Sequence, residues 1–154
     1  MIIGLTGGIA SGKSTAAKYL GEKGASVIDA DKLGHRAYEP DTDAFDKVVS
    51  SFGQEVVGAD GQIDRKVLGS KVFGNPEALD RLTGIIWPEI GRLVLTQFEV
   101  ARGEQPDAPI VLEAAVMLEA GWEPMVDEVW VVIVDPNTAV ERAISRDGVE
   151  EEAI

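Results

Sequence analysis

Twelve residues near the beginning of the sequence, GLTGGIASGKST at 4–15, combine glycines with a lysine and several hydroxyl side chains. The segment from Gly7 to Ser14 fits the pattern G-x-x-x-x-G-K-[ST]. Glycines let a backbone wrap closely around phosphate oxygens and adopt dihedral angles that other residues resist. The amides from about Ala10 to Ser14 would then point inward at the N-terminus of a helix, which is a ready anion site. The pattern therefore predicts a phosphate-binding loop.

Two side chains of this loop have the chemistry that a nucleotide site needs. We expect Lys13 to reach the β- and γ-phosphates of a bound nucleotide, and the Ser14 hydroxyl to ligate a magnesium ion. The alternative is a glycine turn without a ligand. The pattern stands between a predicted strand and a predicted helix, as the motif requires, and this context favours the phosphate site.

Two aspartates follow the loop in the segment VIDADKLGHRAYEP. Asp29 and Asp31 are predicted at the end of a strand that runs beside the first one, and strand alternation would send them to the same side. Ligands of open α/β sheets bind outside the carboxyl ends of the strands, so both carboxylates should approach the loop. One could accept a proton from an attacking hydroxyl while the other holds a magnesium-bound water or orders the loop. Alternatively, one of them caps the next helix. Asp31 is the better candidate for chemistry.

The elements that must position these residues alternate between strand and helix along the chain. Short apolar runs predict buried strands at 1–6, 25–31, 110–116 and 128–135. Helical patterns cover 13–24, 41–53, 64–73, 75–86, 89 to about 101, and 137–148, and residues 149–154 resemble the start of another helix. Alternating strands and helices predict an α/β fold with three layers, in which a parallel sheet lies between helices. The consecutive helices before the third strand predict a helical subdomain over one end of the sheet.

Length and composition limit the possible functions. A chain of 154 residues is most simply one domain, 1–154, with a core at 1–38 and 108–154 and a helical insertion at about 40–103. The net charge of −13 argues against a nucleic-acid partner. No apolar run is long enough for a membrane span, and the absence of cysteine suits a reducing cytoplasm. Because the sequence stops as a helix begins, we expect the C-terminal part of the domain to be missing.

Five segments together resemble the dephospho-CoA kinase family, which is a family of P-loop kinases. They are GLTGGIASGKST, VIDADKLGHRAYEP, LTGIIWPEI, VLEAAVMLEAGW and RDGVEEEA. The stretch EAAVMLEAGW is more similar to the kinase half of the bifunctional eukaryotic CoA synthase than to the most common bacterial form of the family. The resemblance covers the whole chain and implies ATP-dependent phosphorylation of the ribose 3′-hydroxyl of dephospho-CoA, which gives CoA and ADP as the last step of coenzyme A biosynthesis. It also implies ATP and Mg²⁺ as cofactors, in a cytoplasmic transferase whose oligomeric state is open.

The resemblance also assigns roles to individual residues. Asp31 matches the family's proposed general base, Lys13 lies on the transferring phosphate, and Arg142 matches an arginine that stabilises the phosphates. A planar guanidinium suits the last role because it can bridge two phosphate oxygens. Ser14 is the implied magnesium ligand. The residues implied in nucleotide binding are Gly8, Ala10, Ser11, Gly12, Lys13, Ser14 and Thr15.

Several positions depart from the family pattern or have no clear role. Trp87 replaces the histidine that usually precedes the proline of WPEI, and we expect it either to stack on adenine or to pack against the helical subdomain. Glu113 either helps to position magnesium at a strand end or is purely structural. His35 and Glu119 receive no chemical role. Family members continue with the rest of a lid helix, a further strand and a closing helix.

Two other functions remain open at this point. One is a different small-molecule P-loop kinase that acts on a nucleoside or a nucleotide, which would have the same fold. The other is an ATP-binding module that is inactive because its C-terminal part is missing. A panel of acceptors separates the first alternative from the leading one, and the absence of ADP release with any acceptor would indicate the second.

Overall fold

The computed structural model describes residues 1–147, so the helix predicted to start at 149–154 lies outside the described residues. The described strands are β1 (Ile2–Gly7), β2 (Ser26–Asp29), β3 (Ile110–Glu113) and β4 (Glu128–Val132). The described α-helices are α1 (Lys13–Glu22), α2 (Ala30–Gly34), α3 (Asp43–Phe52), α4 (Arg65–Val72), α5 (Pro76–Glu104) and α6 (Pro136–Asp147). No helix in this part of the chain is long and apolar enough to cross a bilayer.

The four strands form one sheet in the order β2-β3-β1-β4, and all neighbouring pairs are parallel. The register pairs Leu5 of β1 with Glu113 of β3 and with Trp130 of β4. Parallel strands place their carboxyl ends at the same edge, where the segments that follow β1, β2 and β3 begin. The predicted α/β class with a parallel sheet is therefore confirmed.

Apolar residues cover the two central strands on both faces of the sheet. On one face, Ile3, Leu5 and Val111 are buried together with Ala17 of α1. On the other face, a Cβ atom at Gly4 would lie 2.5 Å from the Sδ atom of Met117. Only a residue without a side chain allows the segment after β3 to pack this closely on β1.

The helical pattern at 75–101 forms one helix rather than two. Asn75 caps α5, since its Oδ1 atom accepts a hydrogen bond from the amide of Ala78 at 3.1 Å. Pro88 lies inside the helix and cannot donate a backbone hydrogen bond. The helix nevertheless continues because Ile90, Val94 and Phe98 recur at helical spacing and are buried, which outweighs one lost bond.

The prediction that 128–135 is a buried strand is wrong. β4 ends at Val132, and most of its residues are exposed because it is an edge strand that pairs with β1 alone within the described residues. Val131 is 57% exposed and Ile133, just beyond the strand, is 85% exposed. An apolar run has the same appearance at an edge as in the centre of a sheet, so the sequence did not distinguish them.

The described residues divide into two compact units. The first contains Met1–Asp29 and the described residues from Gln97 onward, and the second contains Ala30–Thr96. The second unit has its own apolar core, in which Tyr38, Phe45 and Ile85 pack around buried residues. Those buried residues are Val48, Phe52, Val56, Ile63, Leu68 and Ala78. The predicted insertion at about 40–103 within one domain remains a prediction.

Candidate phosphate-binding site

The loop between β1 and α1 has the backbone geometry of an anion site. Ala10 has a φ angle of 55° and Gly12 a φ angle of 95°, so both lie in the left-handed region. The amide of Ser11, between them, donates a hydrogen bond to the carbonyl of Gly8 at 3.2 Å, which closes a tight turn. Successive residues that alternate into the left-handed region turn their N–H groups toward one hollow, where an anion can bind. The backbone of this loop therefore has a geometry that suits a phosphate.

Gly7 allows the loop to pack tightly against the end of the sheet. A Cβ atom at this position would lie 2.5 Å from the carbonyl oxygen of Val132 and 2.7 Å from the Oγ atom of Ser11. Any larger residue would push the loop away from β4. The Ser11 side chain is buried below the loop, and its hydroxyl has no hydrogen-bond partner within the described residues.

The N-terminus of α1 adds positive potential to the same hollow. Gly12 provides no side-chain cap, and the first turn of α1 contains no acidic residue. The free N–H groups of that turn and the helix dipole therefore remain available to an anion. Lys13 is the first residue of α1, is half-buried, and forms no ion pair within residues 1–147. Its ammonium group can therefore neutralise a phosphate.

Ser14 and Glu113 meet at the carboxyl edge of the sheet, although 99 positions separate them in the sequence. The Ser14 hydroxyl donates a hydrogen bond of 2.6 Å to the Oε1 atom of Glu113. Glu113 is the last residue of β3 and is only 7% exposed, whereas Ser14 is exposed. A hydroxyl and a carboxylate are oxygen groups of the kind that Mg²⁺ binds, so these residues fit such an ion.

Among the described residues, no three His, Cys, Asp or Glu side chains cluster closely enough to hold a metal. This is the usual situation for Mg²⁺, which keeps several waters and is held by one or two protein groups together with the phosphates of a substrate.

Arg142 reaches the loop from the last described helix. Its Nη1 atom donates to the carbonyl oxygen of Ala10 at 3.5 Å, and the same atom lies 3.8 Å from the position of a Cβ at Gly12. The structure thus places a guanidinium group beside the loop, with 132 positions between the two residues. Nothing in the local sequence around Arg142 indicates this contact, and the resemblance implied only that this residue stabilises phosphates.

The two predicted aspartates lie on different elements. Asp29 is the last residue of β2 and is in register with Glu113 of β3. Asp31 is exposed in the first turn of α2, within the second unit. The prediction that the strand extends to Asp31 is therefore wrong, because β2 ends at Asp29 and a helix begins at Ala30, so strand alternation does not apply to Asp31. The role of Asp31 as proton acceptor remains a prediction.

The other residues noted in the sequence have unremarkable positions. Trp87 is partly buried within α5, His35 is exposed just after α2, and Glu119 is exposed in the segment after β3. Sequence reasoning did not predict that Glu113 lies beside Ser14. The available signal was an acidic residue at the end of an otherwise apolar strand. A residue with a purely structural role at such a buried position would usually be apolar.

Comparisons with known proteins agree with this geometry. The family described as Dephospho-CoA kinase matches residues 1–154. A protein named Dephospho-CoA kinase from Geobacter metallireducens is 47% identical over 150 residues, which are 97% of this chain and 74% of that protein. Its namesake from Geobacter sulfurreducens is 49% identical over 148 residues, with 96% and 74% of the two chains covered. The chain thus spans about three quarters of these relatives' length.

Two solved structures resemble the whole chain. TT1252 from Thermus thermophilus superposes with a TM-score of 0.79 at 32% identity, and the match covers 99% of this chain and 75% of that one. Dephospho-CoA kinase from Campylobacter jejuni gives a TM-score of 0.69 at 28% identity, with coverage of 99% and 75%. The sheet and its helices therefore follow an arrangement already seen in crystals.

Proposed function

Because the chain belongs to the dephospho-CoA kinase family, we propose that it transfers the γ-phosphoryl group of ATP to the ribose 3′-hydroxyl of dephospho-CoA, giving CoA and ADP. The observation that carries the proposal is the loop at 7–14, whose left-handed residues, uncapped helix N-terminus and unpaired lysine form one anion site. A triphosphate is the ligand that uses all three features.

The residues of the loop bind and orient the phosphates. The amides of 10–14 hold phosphate oxygens, and Lys13 neutralises the β- and γ-phosphates. Arg142 lies at the same loop and can place its planar guanidinium across two equatorial oxygens of the transferring group. Phosphoryl transfer needs little covalent help from a protein, so positioning and charge stabilisation supply most of the rate.

We propose that Asp31 accepts the proton of the attacking ribose hydroxyl. In the proposed step, the ribose 3′-oxygen forms a bond with the γ-phosphorus while the bond from that phosphorus to the β–γ bridging oxygen breaks. The hydroxyl proton moves to the Asp31 carboxylate, and ADP leaves with the bridging oxygen. Support for this role comes from the match of VIDADKLGHRAYEP to the family and from the exposure of Asp31, which leaves its carboxylate accessible.

We further propose that the reaction uses Mg²⁺, held by Ser14 and by the nucleotide phosphates. The ion would neutralise charge that develops on the phosphate oxygens. The short bond between Ser14 and Glu113 supports this assignment because it keeps two oxygen-bearing side chains together beside the loop. The cytoplasmic location and the absence of a nucleic-acid partner remain predictions from composition.

A coupled measurement of ADP release tests the proposed reaction. The chain is incubated with ATP, MgCl₂ and dephospho-CoA, and parallel reactions contain adenosine, AMP or no acceptor. We expect ADP only when dephospho-CoA and Mg²⁺ are both present. Equal release with a nucleoside would indicate a different P-loop kinase, and binding of ATP without release of ADP in any reaction would indicate an inactive module.

Asp31→Asn tests the assignment of the proton acceptor. The amide cannot take the proton, so kcat should fall by about 10²–10⁴-fold while the affinity for ATP is retained. Asp43→Asn is the matched control, because Asp43 is also an exposed acid in the first turn of a helix of the second unit. Unchanged turnover in Asp31→Asn would remove this residue from the mechanism.

A further inference from the structure

The hydroxyl of Ser11 is buried without a hydrogen bond, which sets it apart from the other buried polar side chains among residues 1–147. Those are Thr6, which donates to the carbonyl of Ala115 at 3.4 Å, and Glu113, which accepts from Ser14. A buried hydroxyl without a partner raises the free energy of the folded chain, so any arrangement that supplies a partner is favoured. The loop described here is therefore not the arrangement that suits Ser11 best.

The backbone amide of Ser11 is engaged in a bond that a bound anion would disturb. It donates to the carbonyl of Gly8 at 3.2 Å, although it belongs to the amides from which we expect contacts with phosphate. An anion that takes this amide competes with Gly8, and the peptide unit of Ser11 must then rotate. The glycines on either side permit this rotation, since Gly12 already has a φ angle of 95° and the Cβ position of Gly8 lies in open space.

An acceptor for the Ser11 hydroxyl lies at the end of β4. The Oγ atom is 2.7 Å from the position of a Cβ at Gly7, and the carbonyl oxygen of Val132 is 2.5 Å from the same position. The two oxygen atoms are therefore neighbours on one side of Gly7, but they do not form a hydrogen bond in the structure. Val132 is the last residue of β4 and is in register with Gly7. A rotation at Ser11 can thus bring its hydroxyl to a fixed carbonyl.

From these observations we propose that Ser11 is a positioning residue that fastens the phosphate loop to β4 when an anion binds. Its amide leaves Gly8 for a phosphate oxygen, and its hydroxyl then donates a hydrogen bond to the carbonyl of Val132. The inference rests on the proposed function for the identity of the anion, which is a nucleotide. The Ser11 side chain touches neither the nucleotide nor the reacting atoms, because it acts by holding the loop in the form that presents its amides.

Ser11→Ala tests the inference through two effects of opposite sign. The variant removes the unpartnered hydroxyl from the free protein, so the thermal unfolding midpoint without ligand should rise by about 2–4 °C. It also removes the proposed bond from the complex, so the affinity for ADP in MgCl₂, measured by titration calorimetry, should fall roughly three- to tenfold. A hydroxyl that merely supports the fold would lower the midpoint when it is removed.

The carbonyl of Val132 provides a direct spectroscopic readout. A carbonyl that accepts a new hydrogen bond is deshielded, so its ¹³C resonance should move downfield when ADP saturates the wild type and should not do so in Ser11→Ala. Ser11→Cys keeps a side chain of similar shape with a weaker donor, and its affinity for ADP should be intermediate. Ser50→Ala is the matched control, because Ser50 is exposed and donates within α3 to the carbonyl of Asp46. That variant should retain the wild-type affinity and the shift at Val132.

Three results would overturn the inference. One is a lower midpoint in ligand-free Ser11→Ala, which means that the hydroxyl already has a partner in the free protein. The second is an unchanged affinity of this variant for ADP, and the third is the same downfield shift at Val132 with and without the hydroxyl.

A failure of the proposed function gives a different result. Absence of ADP release with dephospho-CoA would overturn the function, while the midpoint and the ADP affinity of Ser11→Ala would still test the role of Ser11. Normal release by the wild type together with wild-type affinity in Ser11→Ala would overturn the inference alone.

Discussion

At the scale of single residues, the candidate anion site includes two residues in the left-handed region, Ala10 and Gly12. Gly12 adopts its φ angle of 95° without a steric penalty, whereas Ala10 reaches 55° although it has a Cβ atom. Such left-handed positions in residues other than glycine commonly occur at functional sites. The carbonyl of Ala10 accepts the hydrogen bond from Arg142, so the unusual conformation also provides an attachment for α6.

The contact of Arg142 with the loop predicts a large effect on phosphoryl transfer. Arg142→Ala should lower kcat by about 10³-fold or more, the range found when an arginine that stabilises transferred phosphate is removed. Arg142→Lys should recover only part of this loss, because an ammonium group keeps the charge but cannot bridge two oxygens. The measurement is steady-state ADP release with dephospho-CoA.

Arg102→Ala is the matched control for this prediction. Arg102 is an exposed arginine near the end of α5 and pairs with Glu99 three positions earlier. Exposed pairs of this kind contribute little to stability, so activity should remain at the wild-type level. If Arg142→Ala were as active as Arg102→Ala, the contact with Ala10 would have no part in the reaction.

At the scale of elements, helices of the second unit begin at capping residues and end at turns that contain glycine. Asp64 caps α4 by accepting hydrogen bonds from the amides of Lys66 and Val67 at 2.9 and 3.1 Å. The turn between α4 and α5 contains Gly74, whose φ angle is 70°. Within α4, by contrast, Gly69 has no atom near the position of a Cβ and no unusual φ angle.

This contrast predicts opposite effects for the same substitution at two glycines. Gly69→Ala should raise the free energy of unfolding by about 0.5–1 kcal/mol, because alanine is the better helix former and the site has open space. Gly74→Ala should lower it by about 1–2 kcal/mol, because alanine resists a left-handed conformation. Urea unfolding followed by circular dichroism measures both values. Effects of equal sign would contradict the assigned conformations.

At the scale of the whole molecule, the net charge of −13 opposes both compaction and the approach of anions. In the proposed function, ATP is therefore expected to be attracted locally, by Lys13, Arg142 and the amides of the loop. The excess negative charge also means that dissolved salt should change the stability of the fold as well as the binding of an anionic ligand.

Screening of this charge predicts that added salt stabilises the fold. Between about 10 and 150 mM NaCl the Debye length shrinks to about 8 Å, which weakens repulsion among the excess carboxylates. We expect the unfolding midpoint to rise by about 3 °C, corresponding to about 1 kcal/mol for a chain of this size. Differential scanning calorimetry checks this value, with sucrose as an uncharged control for solute effects. A midpoint that falls with NaCl would contradict the prediction.

The sequence by itself determined the phosphate loop and the parallel α/β class. Both follow from short-range patterns, because the spacing of glycines with Lys13 and Ser14 and the alternation of apolar runs with helical periods are local properties. The helical periods at 64–73 and 75–86 likewise predicted the starts of α4 and α5.

Only the tertiary structure decided which distant residues meet. The pairing of Ser14 with Glu113 depends on the order of the strands, which places β3 next to β1. Within residues 1–147 the same order leaves β4 at an edge, so an apolar run that predicted burial is exposed there. Asp31 was predicted at the end of a strand, but it lies in a helix because α2 begins at Ala30. Strand order and element ends depend on the balance of packing over the whole fold, so no local pattern of residues contains them.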